Sequence, residues 1–243
     1  KSYYIDNLIL ALPIVLSQLG HTLVHMADGM IVGHFAGTVQ LAAVSLVNSL
    51  FMLILVLGLG ISYGLTPLIA QANGSKDKEE CGRMLSNSIL INFAASIILY
   101  ALVLLVYYKV IDHLGQSPDV VLHAKPYLQF MGISIFPLMI FQAFKQFTEG
   151  LGFTKQAMMI SIWGNVVNVI LGIIFVRGMF GITPMGVSGV GLSTLIDRIL
   201  MAIAMGAYVF NSKNFKAYLS QFKLFSFDLS RIKKIVKLGA PVA

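Results

Sequence analysis

The first long apolar segment of the chain, residues 8–33, reads LILALPIVLSQLGHTLVHMADGMIVG. Four polar residues between positions 18 and 28 fall within an arc of roughly 80° on one helix face, at 3.6 residues per turn. They are Gln18, His21, His25 and Asp28. A carboxylate at the bilayer centre costs about 2.5 to 3.5 kcal/mol on insertion scales, so it is retained where it faces protein or a water-filled cavity. This polar stripe is therefore the first candidate for a functional site.

The composition excludes an ordinary soluble domain. Of 243 residues, 57% are hydrophobic and 11% are charged, and the mean hydropathy is +0.84, whereas soluble domains carry about 25% charged residues. The single cysteine, Cys81, excludes an intrachain disulfide. The first apolar segment is too long for a signal peptide and contains Asp28, so we expect it to remain in place as a helix. The chain is predicted to be an all-α polytopic membrane protein.

Six apolar runs reach the length of about 20 residues that a membrane-spanning helix needs. They cover residues 8–33, 41–72, 84–108, 120–147, 157–176 and 187–210, and a seventh run begins at Ile235. We predict three parts: an N-terminal six-helix transmembrane bundle over 1–210, a cytoplasmic basic amphipathic linker over 211–234, and the truncated start of a seventh helix over 235–243.

The end of the chain resembles its beginning in the placing of a proline. Residues 9–16 read ILALPIVL and residues 236–243 read VKLGAPVA, each with a proline after a mostly apolar tetrapeptide. After six helices and a basic linker, this suggests that a second six-helix repeat starts near Ile235. We expect the chain to be the N-terminal half of a larger transporter, with a C-terminal six-helix half as its partner.

The basic residues indicate the orientation in the membrane. If the N-terminus is cytoplasmic, the outer loops hold only Lys109, Lys125 and Arg177. This positive-inside asymmetry predicts a multi-pass protein of the bacterial inner (plasma) membrane with its N-terminus in the cytoplasm. Topology thus explains the net charge of +7, and we expect the lipid bilayer and not nucleic acid as a partner. The cytoplasmic set is Lys1, Lys76, Lys78, Arg83, Lys145, Lys155, Lys213, Lys216, Lys223, Arg231, Lys233, Lys234 and Lys237.

Asp28 has the chemistry of an ion-coupling group. A buried carboxyl exchanges a proton for a cation such as Na⁺ when its surroundings change. His21 and His25, at i and i+4, are predicted to hydrogen-bond or modulate Asp28. A metal site would need a further acidic or Cys ligand, and the sequence offers none except Asp28, so we predict no metal and no cofactor.

Other polar residues inside the runs are candidates for a substrate cavity. Asn48, Gln142 and Asn165, with Gln18, would offer neutral donors and acceptors to a small organic molecule. Interhelical contacts worth about 0.6 kcal/mol each are an alternative use of the same side chains.

Two further features concern helix 6 and helix 1. Asp197 and Arg198 point about 100° apart on a helix, so we expect them not to face the same place, and we interpret them as members of structural interhelical pairs. Pro13 removes a backbone hydrogen bond and permits bending of the first helix. Such bending would move Asp28, which predicts a gate at Pro13.

Several motifs, taken in order and with their spacing, resemble the multidrug and toxic compound extrusion (MATE) family over nearly the whole chain. They are Leu12-Pro-Ile14, Asp28-Gly-Met-Ile-Val-Gly33, Leu41-Ala-Ala-Val-Ser45, the run Thr66 to Gly74, the run Phe141 to Gly150, Thr154-Lys-Gln-Ala157, Asn168, and the run Met185 to Gly191.

The resemblance implies that the chain is one half of a twelve-helix pseudo-twofold transporter, with two six-helix bundles around a central cavity. It also implies export of organic, often cationic, compounds driven by inward H⁺ or Na⁺ flow. By this likeness Asp28 is the family's helix-1 carboxylate and Asn168 its helix-5 asparagine. The chain departs from the pattern at Gly172, where many prokaryotic members carry Asp or Asn. The coupling ion, H⁺ or Na⁺, stays open.

Three other functions fit the sequence less well. A lipid-linked precursor flippase of related fold would need a strongly basic cavity, and only Arg198 is available within the membrane. An intramembrane metal-dependent enzyme would need a second cluster of polar ligands beside His21, His25 and Asp28. A receptor or structural membrane protein would leave the polar stripe incidental. The sequence favours a cation-coupled exporter, which is not an enzyme.

Overall fold

The computed structural model describes residues 2–223, 227–239 and 241, with side chains from residue 11 onward. Lys1 and residues 224–226, 240, 242 and 243, which belong to the predicted first segment, linker and seventh helix, lie outside the described residues. The helices are α1 Ser2–Phe35, α2 Thr38–Tyr63, α3 Leu65–Gly74, α4 Lys78–Leu105, α5 Pro118–Ile133, α6 Ile135–Gly150, α7 Thr154–Arg177, α8 Val187–Asn211 and α9 Leu229–Gly239. A π turn and a 3₁₀ turn extend α4 from Val106 to His113.

Five helical stretches are long and apolar enough to cross a membrane, and they match the second to sixth predicted runs. They are Thr38–Gly74, Lys78–His113, Pro118–Gly150, Thr154–Arg177 and Val187–Asn211. α1 is not among the five, and the polar stripe makes its described part less apolar than these. It nevertheless packs along α7 and against α2 as part of the same bundle. The predicted all-α membrane bundle is confirmed.

Two of the predicted spans are divided into two helices, each four residues before a proline. α2 ends at Tyr63 with Pro67 following in α3, and α5 ends at Ile133 with Pro137 following in α6. A proline has no N–H to donate to the carbonyl four residues earlier, and its ring clashes with that carbonyl. The first helix therefore ends at the residue that carries this carbonyl, and the next helix begins two residues later. Pro13, in contrast, lies inside α1 without interrupting it.

α8 lies at the centre of the bundle, in contact with α5, α6 and α7. The Asn168 side chain of α7 donates to Thr194 Oγ1 of α8 at 3.1 Å, and both residues are buried. Because buried polar groups are stable only when they find partners, this bond fixes which faces of α7 and α8 meet.

The linker after α8 lies against the ends of α3 and α4. The Tyr218 hydroxyl donates to Asn73 Oδ1 at 2.9 Å, and the Lys223 backbone N–H donates to Ser86 Oγ at 2.9 Å. Phe215 is fully buried. Residues 212–223 form turns and no helix. The described part of the linker is therefore anchored to the bundle and is not a solvated connector.

The last helix begins before the predicted start at Ile235. α9 starts at Leu229, because the Asp228 carboxylate accepts the N–H groups of Ser230 and Arg231 at 2.9 and 3.3 Å and so caps the helix. The predicted boundary between linker and seventh helix was wrong by this first turn. Arg231 also forms hydrogen bonds to Glu80 of α4 at 2.7 and 3.0 Å, and these bonds raise the pKa of Arg231.

The contact between linker and α4 yields a test of the fold. A Cβ placed on Gly82 of α4 would lie 2.3 Å from the Tyr218 carbonyl oxygen. Because that oxygen belongs to the backbone, we expect Gly82→Ala to lower the free energy of unfolding by about 1 to 3 kcal/mol. Thermal unfolding of the purified protein in detergent measures the change.

Gly74→Ala is the matched control, since nothing lies within 4 Å of a Cβ at that position. We expect it to be neutral or slightly stabilising. Equal melting temperatures for the two variants would contradict the docked position of the linker.

Candidate functional site

A cavity of about 120 Å³ opens between α1, α2, α6, α7 and α8. One water needs roughly 10–15 Å³ measured in this way, whereas drug-sized ligands occupy pockets of about 300–1,000 Å³. The cavity therefore has room for several waters or a small cation, but not for a large organic molecule. Its polar lining is Gln18, His21, Thr22, His25, Asp28, Tyr63, Gln142, Asn165, Asn168, Thr194, Asp197 and Arg198.

Asp28 is the most deeply buried member of the polar stripe. Its residue is 1% exposed, and its Oδ1 atom has no hydrogen-bond partner in the described part of the chain. His21 is half-buried, with Nε2 also buried and without such a partner, whereas Gln18 and His25 are exposed. The stripe thus runs from the open side of the cavity to a carboxylate inside it.

The neutral wall of the cavity comes from α6 and α7. Asn168 is fully buried and Asn165 is 9% exposed. Three buried atoms here, Gln142 Oε1, Asn165 Nδ2 and Asn168 Oδ1, have no hydrogen-bond partner among the described residues. Buried polar atoms of this kind are normally satisfied by water or by an ion. Gln142, Asn165 and Asn168 therefore stand where the prediction placed them, while their roles stay predictions.

Asp197 and Arg198 both line the cavity, so the prediction that they face different places was wrong. α8 is surrounded by other helices, and the arc of α8 that borders the cavity is wide enough to include residues 100° apart. The expected structural ion pairs are not formed among the described residues either. The Arg198 guanidinium donates to Ser134 Oγ at 2.6 Å and stacks over the Phe51 ring, 5.3 Å from its centroid.

Asn48 does not line the cavity, contrary to prediction. Its Oδ1 atom accepts a hydrogen bond of 2.9 Å from the Tyr127 hydroxyl, which places the side chain between α2 and α5. This is the alternative use of an intramembrane amide, an interhelical hydrogen bond.

A second polar cluster was not singled out from the sequence. Lys145 of α6 is 3% exposed, donates to Ser17 Oγ of α1 at 3.0 Å and lies 3.9 Å from Glu149 Oε1. Lys145 was counted among the cytoplasmic cations, but it is buried inside the bundle. The signal was a Lys and a Glu four residues apart in an otherwise apolar run, a spacing that puts them on one helix face.

The described residues include no group of three or more His, Cys, Asp or Glu side chains placed to hold a metal ion. His21, His25 and Asp28 therefore share a cavity wall without forming a ligand cage. The cavity offers carboxylates, imidazoles, amides and one guanidinium, which is a set suited to binding small cations or protons.

These features define a class of protein: a multi-pass all-α membrane protein with ionisable side chains around a buried cavity. The particular family follows from comparison with known proteins. Residues 13–174 match the MatE family model, and the chain belongs to this family.

The curated relatives are named as a transporter or as multidrug resistance proteins. An uncharacterized transporter, YisQ, from Bacillus subtilis is 30% identical over 89% of this chain and 47% of its own length. The multidrug resistance protein NorM from Photobacterium profundum is 29% identical over 97% of this chain and 51% of its own length. The chain spans about half the length of the curated relatives it matches, and it corresponds to the N-terminal half of a MATE transporter.

Solved structures share the fold. An outward-facing multidrug resistance MATE family transporter of the MOP superfamily matches with a TM-score of 0.85 and 24% identity, over 98% of this chain and 51% of that one. A MOP superfamily transporter from Pyrococcus furiosus, described as having a binding pocket of reversed polarity, matches with a TM-score of 0.85 and 23% identity, over the same shares.

The buried Lys145–Glu149 pair yields a stability prediction. We expect Lys145→Met to lower the free energy of unfolding by about 3 to 5 kcal/mol, because it leaves the Glu149 carboxylate buried without its cation. Adding Glu149→Leu should recover most of the loss, since apolar replacements of a buried pair are often neutral. Thermal unfolding of the parent protein, the two single variants and the double variant gives the coupling energy of the pair as a double-mutant cycle.

The exposed pair Lys125–Asp112, joined at 2.8 Å, is the control. The corresponding cycle, with Lys125→Met and Asp112→Leu, should change stability by no more than about 1 kcal/mol. A double variant at Lys145 and Glu149 that is as unstable as the sum of its singles would contradict the ion pair.

Proposed function

We propose that the protein to which this chain belongs is a secondary active multidrug exporter, in which H⁺ or Na⁺ binding at Asp28 favours release of an organic compound on the outer side. A coupling ion does this only if its affinity differs between the two conformations. The observation that carries the proposal is the Asp28 carboxylate, 1% exposed and with one oxygen unpartnered among the described residues.

The position of Asp28 suits ion coupling better than a structural role. A structural carboxylate would be expected to have both oxygens hydrogen-bonded between helices. His21 and His25 lie on the same cavity wall, where they can pass or receive a proton, and Asn168 offers a neutral oxygen opposite. The proposed coupling site therefore consists of Asp28, His25, His21 and Asn168.

The substrate is proposed to be a small organic cation, in keeping with the multidrug resistance names of the NorM relatives. The cavity of about 120 Å³ is too small for such a compound, so binding would need space that a C-terminal six-helix half also lines. Gln18, Gln142 and Asn165 are the proposed contributions of this chain to that space.

The proposed location is the bacterial inner membrane with the N-terminus in the cytoplasm. The basic linker packs against the C-terminal end of α3 and the N-terminal part of α4. The linker and the basic connection between these two helices, with Lys76 and Lys78, therefore lie at one end of the bundle. This arrangement agrees with the positive-inside rule when that end is cytoplasmic.

A lipid-linked precursor flippase fits the cavity less well. A pyrophosphate group needs several cations, whereas the cavity brings Asp28 and Asp197 together with the single guanidinium of Arg198. The carboxylates would repel such an anion. An intramembrane metal enzyme lacks its ligand cluster within the described residues.

Asp28→Asn tests the proposed function. Efflux of a fluorescent organic cation from cells that express the complete protein should fall to the level of cells without it, while binding of the dye is retained. The amide keeps the size of the side chain but cannot exchange a proton or balance a cation.

Asp119→Asn, at an exposed position in the first turn of α5, is the matched control and should leave efflux unchanged at equal membrane levels. Unchanged efflux in Asp28→Asn would reduce Asp28 to a structural carboxylate and move ion coupling elsewhere.

Pro13 is proposed as the gating residue. Similar structures were solved in a bent and in a straight conformation, and Pro13 lies inside α1, where it cannot donate a hydrogen bond to the carbonyl four residues earlier. We expect Pro13→Ala to stiffen α1 and to reduce efflux several-fold while dye binding is kept. Pro126→Ala, inside α5, serves as the control. Full efflux by Pro13→Ala would contradict the gating role of Pro13.

A further inference from the structure

We propose that Asp197 of α8 is a second cation-binding carboxylate of the cavity, and that Arg198 beside it limits the cavity to one bound monovalent cation. The inference rests on the proposed coupling function and assigns a binding role to a residue first interpreted as part of a structural pair. It starts from the arrangement of charges around the cavity.

Asp197 is held in the cavity without a partner. The residue is 4% exposed, and its Oδ1 atom has no hydrogen-bond partner among the described residues. A buried carboxylate left in this state is costly, so a ligand that supplies positive charge or a proton would be bound favourably.

The backbone of α7 makes room for this carboxylate. A Cβ on Gly164 would lie 2.5 Å from Asp197 Oδ1, so any larger residue at this position would push the carboxylate aside. Gly164 thus lets Asp197 lie directly against α7, beside Asn165 on the same cavity wall.

Asp197 and Asp28 stand at different depths. Gly20 of α1 lies against Asn165, whereas Ile31 lies against Gly172, so α1 and α7 run in the same direction. Asp28 therefore lies near Asn168, and Asp197, beside Gly164, lies on the order of one to two helical turns nearer the N-terminal end of α1. The cavity connects the two carboxylates.

Arg198 does not neutralise Asp197 by direct pairing. Its guanidinium is held by Ser134 at 2.6 Å and by the Phe51 ring, and no ion pair of Arg198 with a carboxylate is formed in the part of the chain that the structure describes. It acts as a fixed positive charge at the cavity wall.

The charges of the lining then set the capacity of the site. With both carboxylates ionised, Arg198 charged and the imidazoles neutral, the cavity has one net negative charge, and one proton or one Na⁺ makes it neutral. Net charge is strongly disfavoured in a medium of low dielectric constant. The titratable or charged groups of the lining are His21, His25 and Asp28 from α1, Tyr63 from α2, and Asp197 and Arg198 from α8; α6 and α7 contribute amides.

The test uses the purified complete protein in detergent and two probes of the bound cation. One is calorimetric titration with NaCl in choline chloride at pH 8, and the other is proton uptake on a pH drop in Na⁺-free solution. For whichever cation the parent protein binds, Asp197→Asn should weaken binding about tenfold or more, as Asp28→Asn does. Asp197→Glu, which keeps the charge, should retain binding.

Arg198→Gln gives an effect of opposite sign. Removing the fixed positive charge should tighten cation binding about tenfold or raise the number of bound cations from one to two. A purely structural Asp197 would leave the cation affinity of Asp197→Asn unchanged and lower only its melting temperature. Because the Arg198 variant is expected to gain binding, a folding defect cannot imitate this result.

The outcomes separate this inference from the proposed function. If Asp28→Asn loses cation binding while Asp197→Asn binds like the parent protein, the role of Asp197 is refuted and the exporter proposal stands. If both variants bind like the parent protein, both proposals fail.

Discussion

A charged side chain inside an apolar bundle has to face a polar partner or a cavity, and this constraint organises the whole structure. The buried ionisable residues divide into two groups. Lys145 is satisfied by Ser17 and Glu149, in a closed cluster that fastens α1 to α6. Asp28 and Asp197 instead border the cavity, each with one oxygen that has no hydrogen-bond partner among the described residues. The first group supports the fold, and the second is available to bind a cation.

The breaks in the helices serve the same constraint. Pro137 ends α5 at Ile133 and leaves Ser134 between the two helices, where its hydroxyl donates to the Met131 carbonyl at 2.7 Å and accepts from Arg198. Arg198 therefore has a neutral partner at the bend and does not need a carboxylate beside it. Pro137 thus contributes indirectly to the charge of the cavity, because the bend lets Ser134 hold the Arg198 guanidinium and leaves both carboxylates unpaired with it.

The fold was predictable from the sequence because runs of apolar residues report directly on helices that face lipid. The start of the last helix was predicted too late because it depends on local capping and not on apolar residues. Asp228 caps α9, so the helix begins at Leu229, before the apolar run. The polar stripe of α1 followed from helical spacing, but spacing on one helix cannot say which helices are neighbours. The hydrogen bond of Asn48 to Tyr127 and the shared cavity of Asp197 and Arg198 depend on such neighbours, so the sequence left them undetermined.

The geometry of α1 also limits what this half of a transporter can do by itself. Gln18 and His25 are exposed on the open side of the cavity, so the polar stripe is uncovered over about two helical turns. A coupling site drives transport only if access alternates between the two sides of the membrane. While this face of α1 stays uncovered, a cation bound at Asp28 under the proposed mechanism would not be passed from one side of the membrane to the other. Vectorial export therefore requires a further surface that covers this side of α1 in at least one conformation.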